Sequence, residues 1–449
     1  MMYDICNSPV SLETSKALDD WNGMIRAFLA HGTATPVHLG AVLTAQPDLA
    51  MGHAARGLFS LMMGRAELVE TAKQAAIAAQ HAKANSASSF REEAWTRALD
   101  HWLAGCPSHA VAALEGVLRR HPEDTLSAKV SHAIRFMLGD ASGMRRSVER
   151  VLGAHGDDHA CRGYLLGCHA FALEETGAYA QAEAAGLAGL ELATDDSWGL
   201  HAVTHVYDMT ARPDRGISLI ENNTGAWDHC NNFRYHVWWH KALLHMDRGE
   251  LDVALGLYDA QIRAEKTDDY RDISNATSLL VRLELDGVDV GPRWEELADL
   301  AQARTDDGCV VFADLHYMLA LTGADRPDAQ AAMTQRFARD AARPGEMTQI
   351  YSTPGVAALS GLNAFAEARY DAAFGSLLAA RPAMQTIGGS HAQRDVFERI
   401  TIDAGLRAGR YDQTEIVIAD RLARRAGRAD RFTTTRMARI EDARRIAAQ

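Results

Sequence analysis

Apolar residues recur every three to four positions through most of the chain, the spacing that lines one face of an α-helix. Each such run breaks at a short turn and is followed by a polar start and a second, alanine-rich run. The break carries a glycine in SLMMGRAELVETA at Gly64, DHWLAGCPSHAVAAL at Gly105, IRFMLGDASGM at Gly139 and ALEETGAYAQAEAA at Gly177. It returns at Gly249, Gly287, Gly323 and Gly409, while the turns near Pro213 and Ala368 lack it. Glycine suits the place because helices commonly end on a left-handed residue, where other side chains meet a steric cost.

The ten turns fall near positions 64, 105, 139, 177, 213, 249, 287, 323, 368 and 409, with gaps of 34 to 45 residues. That period is close to the 34 residues of a tetratricopeptide repeat with insertions. Unrelated hairpins with glycine caps would not keep so narrow a spacing. Small residues stand where paired helices must approach closely, at Gly57, Ala98, Ala110, Ala182, Ala242, Ala254 and Ala373, and Pro122 takes the repeat's closing position. The expected fold is all-α: an α-α superhelix, or solenoid, of about ten tetratricopeptide-like hairpins. It forms a single domain over 1–449, with a capping helix in 1–40 and capping helices in 415–449. The stretches 81–89 and 342–355 read as loops between repeats.

Composition changes this picture little. Of 449 residues, 47% are hydrophobic and 23% charged, ordinary for a folded globular protein. The net charge of −13 argues against nucleic acid as a partner, because it repels phosphate backbones. The last thirty residues are arginine-rich (Arg421, Arg424, Arg425, Arg428, Arg431, Arg436, Arg439, Arg444, Arg445) but interleaved with acids. They read as a solvated helix first and a basic docking patch second. Six cysteines form no CxxC pair, and neither a secretory signal nor an apolar stretch of membrane-spanning length is visible. A reduced, cytoplasmic protein without a membrane partner is expected.

Chemistry concentrates in the first helices of the hairpins, which would line the concave wall. His201 and His205 stand in HAVTH, and His236 and His240 in HVWWH. Spacing of four residues points both rings of a pair to one helix face. The pairs share nearly the same register, so they should face each other from adjacent helices about 10 Å apart. His132, His169 and His316 take similar positions, with Asp314 near His316 and Asp208 one turn beyond His205. Tyr235, Trp238 and Trp239 would supply apolar walls. Two imidazole pairs suit a divalent metal such as zinc, although HAVTH lacks the glutamate of a zincin HExxH. A metal-free ligand or acid–base site, and packed core histidines, are the other readings of the same spacing. In IGGSHAQRDVFERI, Ser390 would cap a helix that starts with His391, Arg394 and Asp395. Arg394 would clamp an anion or pair with an acid to stitch neighbouring repeats.

At these residues the chain resembles the tetratricopeptide repeat protein 38 family. The resemblance is carried by DDSWGLHAVTHVYDM (195–209), YHVWWHKALLHMDRGELDVALGLYD (235–259), LLVRLELDGVDVGPRW (279–294), VVFADLHYMLAL (310–321) and GGSHAQRDVF (388–397). It runs in order over roughly residues 10 to 445. It implies a tetratricopeptide-type superhelix and marks His201, His205, His240, Asp314, His316, Gln393, Arg394 and Asp395 as matching the family's polar positions. His391 departs from the asparagine that other members carry there. The resemblance implies no particular reaction.

Two functions follow as expectations. The first is an enzyme of hydrolase or lyase type acting on a small polar or acidic metabolite in the concave pocket. His205, His240, Asp314 and His316 would do the chemistry, with Asp314 orienting an imidazole. His201, His236, Trp239, Gln393, Arg394 and Asp395 would hold substrate. A metal, if present, would sit on His201, His205, His236 and His240. The alternative is a non-catalytic scaffold that takes a peptide or protein partner in its groove. A homodimer is compatible with either.

Overall fold

Helices end where the turn residues demand it. In the computed structural model, which describes residues 1–85 and 88–449, Gly64, Gly105, Gly139, Gly177, Gly249, Gly287 and Gly409 all adopt positive φ at hairpin turns. The two turns without glycine use alanine in the same left-handed state, Ala211 at φ 51° and Ala368 at φ 56°. Gly323 departs from the expectation. It is the last residue of the helix Val311–Gly323, and the left-handed position passes to Asp325. Glycine is needed at 323 for another reason, since a Cβ there would enter the Trp294 ring.

The chain is all-α, of the α-α superhelix class built from helix hairpins, with one short antiparallel ribbon of Met2–Tyr3 on Pro9–Val10. It divides into two compact units. One comprises Met1–Val203, Asn223–Arg234 and Gly345–Met347; the other comprises Thr204–Asn222, Tyr235–Pro344 and Thr348–Gln449.

The first unit includes the hairpins Ala50–Met62 with Ala66–Asn85, Phe90–Leu103 with Pro107–Arg120, and Arg162–Glu175 with Tyr179–Leu192. Its core gathers Trp21, Met24, Leu58, Trp95 and Leu114. Gly57 allows a close approach there, because a Cβ would stand 2.5 Å from Leu99 Cδ2. Arg91 is buried between Asp4 and Asp124, at 2.7 Å from each.

The second unit includes Tyr270–Leu285 with Arg293–Ala303, Val311–Gly323 with Pro327–Asp340, Val356–Ala366 with Tyr370–Ala380, and His391–Arg407 with Tyr411–Arg424. The helix Arg431–Ala447 packs Phe432 and Ile440 into a core with Phe374, Ile402 and Val417. Ala242, Ala254 and Ala373 are fully buried, as helix contacts at small residues require.

Three expectations change. Residues 81–85 complete the Ala66–Asn85 helix, and Ser89 caps the next one; positions 86 and 87 lie outside the described residues. Thr348–Ile350 and Tyr351–Gly355 are helical turns that bury Tyr351, so 342–355 is not simply a loop. The C-terminal arginines are only partly a solvated face. Arg421, Arg425 and Arg436 are buried, because Asp395, Asp430, Asp208, Asp286 and Asp403 neutralise them inside the unit. No helix among the described residues is long and apolar enough to cross a membrane.

Candidate functional site

The helices Ser197–Met209 and Phe233–Asp247 carry the two histidine pairs. His205, His236 and His240 lie in the second unit and are buried. Each offers a ring nitrogen within 4.8 Å of the others. His236 Nε2 and His240 Nε2 are 3.1 Å apart, and the His205 and His240 ring centroids are 4.4 Å apart. His205 thus meets His236 and His240 across adjacent helices, as the spacing predicts. His201, one turn before His205 on the same helix, belongs to the first unit.

Packing holds these rings. Trp239 is fully buried, stacks on His236 at 5.3 Å and meets His240 in a T-shaped arrangement at 4.8 Å. It therefore forms a wall of the cluster and presents no face to a substrate. Arg282 also lies over Trp239, its guanidinium 5.5 Å from the ring centre. The side chain of Asn275 bonds His236, and Gln393 Nε2 donates to Asn275 Oδ1 at 3.2 Å. Gln393 Oε1 accepts from the Ser390 amide at 3.0 Å, completing a capping box at the start of His391–Arg407. Gln393 is thus a positioning residue for His236 through Asn275, with both ends of its amide engaged.

The electrostatics favour neutral imidazoles. Burial pushes His236 down to about 3, helped by His205 and Arg271 and opposed by the Asn275 hydrogen bond. Burial likewise holds His240 well below the ordinary histidine value, with His205, His236 and Arg282 adding to it. A neutral ring keeps a lone pair, the form that ligates metals.

Asp314 does not orient His316. On one helix, residues two apart point to different sides. Asp314 pairs with Arg336 at 2.7 Å and accepts from the Tyr351 hydroxyl at 3.1 Å. His316 Nδ1 instead meets the Phe312 carbonyl at 2.7 Å, and burial pushes the ring down to about 3. Neither residue joins the three-histidine cluster as an acid–base partner. His132, in the first unit, is packed edge-on against Phe171 and Trp198.

Beside the cluster the second unit encloses a cavity of about 350 Å³. Asp208, one turn beyond His205, and the first turns of His391–Arg407 line it. Arg381, Arg394, Arg421, Arg424 and Arg425 face it together with Asp208, Asp395 and Glu398. Arg394 donates to the Gly388 and Gly389 carbonyls. Asp395 does not pair with it; its carboxylate takes Arg399 and Arg421, each at 2.7 Å. The stitch between neighbouring hairpins is therefore Asp395–Arg421.

Sequence reasoning missed Asn275, Arg282, Arg421 and Arg425. A signal existed for the first two: Asn275 and Arg282 are seven apart, hence on one face, in a helix whose residues 272–283 are all buried.

No family model matches the chain. Among solved structures it is similar to a chain of the Naa15/Naa10 complex bound to HypK-THB, at 12% identity and a TM-score of 0.25. The likeness covers 90% of this chain and 68% of that one. At those values it adds nothing to the architecture read directly from the helices.

Proposed function

We propose that the protein is a helical-repeat binding protein whose histidine cluster holds a divalent transition metal of the zinc class. One observation carries this reading: the 3.1 Å separation of His236 Nε2 and His240 Nε2. Zinc–nitrogen bonds of about 2.0–2.1 Å at tetrahedral angles put ligand nitrogens about 3.3 Å apart. A shift of roughly 0.2 Å would admit the ion between these two rings, with His205 as third ligand. Their depressed basicity supports the same reading, because the rings need not lose a proton to bind.

With His205, His236 and His240 as the three ligands, one position is left for water, and the metal would activate it for a hydrolase- or lyase-type reaction on a small polar metabolite. We also infer membership of the tetratricopeptide repeat protein 38 family, on the ordered stretches that carry the polar positions above. A scaffold for a peptide or protein partner is the second reading, favoured by the repeated hairpins of each unit.

The test is metal analysis of the full chain, expressed without a histidine tag in zinc-supplemented medium. About one equivalent of metal, lost in His205→Ala/His240→Ala, is expected. Cobalt substitution of wild type should give the intense visible bands of a tetrahedral ion, a readout that needs no variant. Metal-free wild type that also fails to take up cobalt would overturn the metal reading and leave the scaffold.

A further inference from the structure

We propose that the arginine-lined cavity of the second unit is a separate binding site for a small phosphomonoester. Five arginines and three carboxylates line it, Asp420 and Asp430 pair Arg381 and Arg421 from outside the lining, and Arg394 and the half-exposed Arg424 are the cations placed to meet a ligand. A phosphomonoester carries about −1.5 to −2 at neutral pH and presents the oxygens that guanidinium groups bind. The volume of about 350 Å³ is in the range of small-molecule pockets.

The walls are built for the purpose. Arg421 is locked by Asp395 and Asp430, and Arg425 by Asp208, so both are held in place without ligand. Arg424 keeps nearly half of its side chain exposed, and Arg394 is held by two carbonyls at the glycine turn that opens the 391–407 helix. Planar forks of this kind bind phosphate oxygens in pairs.

A second observation points the same way. Arg282 is 1% exposed, donates to the Ser278 and Ala392 carbonyls and lies over the Trp239 ring. Among the described residues no carboxylate forms an ion pair with it, although a buried charge ordinarily requires one. Ala392, whose carbonyl Arg282 holds, belongs to the cavity lining.

The experiment is calorimetric titration of the full chain with glycerol phosphate at 0.15 M salt, with inorganic phosphate as a second probe. Saturable binding is expected, weakened about tenfold or more in Arg394→Gln/Arg424→Gln, the loss that follows from removing charge-assisted hydrogen bonds. Arg444→Gln, outside the cavity lining and paired with Asp412 and Glu415, should bind as wild type does. If the double variant does not fold, Arg424→Gln alone carries the test, since that side chain is at the surface. Repeating the titration after chelation separates this site from the histidine cluster: binding should persist. No saturable binding by wild type, or equal binding by the folded arginine variants, would overturn the proposal.

Discussion

Asp395 lies between Arg399 on its own helix and Arg421 on the next, 2.7 Å from each, and the same Arg421 reaches Asp430 at 2.6 Å. The carboxyl of Asp395 is buried, yet these arginines hold it far below the ordinary carboxylate range. One guanidinium thus joins the 391–407 helix, the 411–424 helix and the cap of the 431–447 helix.

Removing that guanidinium should be costly. Arg421→Met leaves Asp395 and Asp430 as buried charges short of a partner, and breaking such a pair costs about 3–5 kcal/mol. Urea unfolding should show a clear loss of midpoint, whereas Arg444→Met, a surface replacement, should leave the midpoint unchanged. Similar midpoints for the two variants would contradict the stitch.

Histidine burial makes stability depend on pH. His316 titrates near 6.5 when unfolded and about 3 when folded, so between those values the unfolded chain binds more protons. Its contribution is complete above about 6.5 and is lost as pH falls, by up to about 1.4 kcal/mol per unit. Asp196 and Asp272, both pushed up to about 7 by burial, act with the opposite sign. The measurement is therefore a difference: from pH 6.5 to 4.5, wild type should lose stability more steeply than His316→Gln. Parallel curves would rule this out.

Close helix packing gives opposite expectations for two glycines. A Cβ at Gly163 would stand 2.8 Å from the Ala193 nitrogen and 2.9 Å from the Gly189 carbonyl oxygen, both backbone atoms that cannot yield. Gly163→Ala should cost about 1–3 kcal/mol. Gly40 is exposed within Thr35–Ala45 with open space around it, so Gly40→Ala should stabilise by up to about 1 kcal/mol. Thermal or chemical melts that move both variants the same way would refute the packing account.

The turn at Ala368 can be improved. A non-glycine residue in the left-handed region costs about 1–2 kcal/mol, part of which glycine returns in unfolded-state entropy. Ala368→Gly should raise stability by roughly 0.5–1 kcal/mol, read from the denaturation midpoint; a lower midpoint would argue against the strained turn.

Much of the fold was legible because its signals are local. Turn residues, apolar spacing and small contact residues act over a few positions, and seven of the eight glycines named at the turns adopt left-handed φ. The histidine cluster was legible for the same reason, since four-residue spacing places His236 above His240 whatever surrounds them. Gly323 was misread because a helix-ending glycine and a glycine that clears an aromatic ring look alike in sequence.

What the sequence by itself determined is the hairpin order and the pairing of histidines on their helices, because helix periodicity converts spacing directly into facing. Only the tertiary structure decided which charges are inside. Asp314 turned to Arg336 and Tyr351 rather than to His316, and Arg421 and Arg425 went to the interior rather than to solvent. Those outcomes depend on which groups from distant segments arrive opposite one another, and a buried charge is tolerable only where a partner of opposite sign has been brought to it.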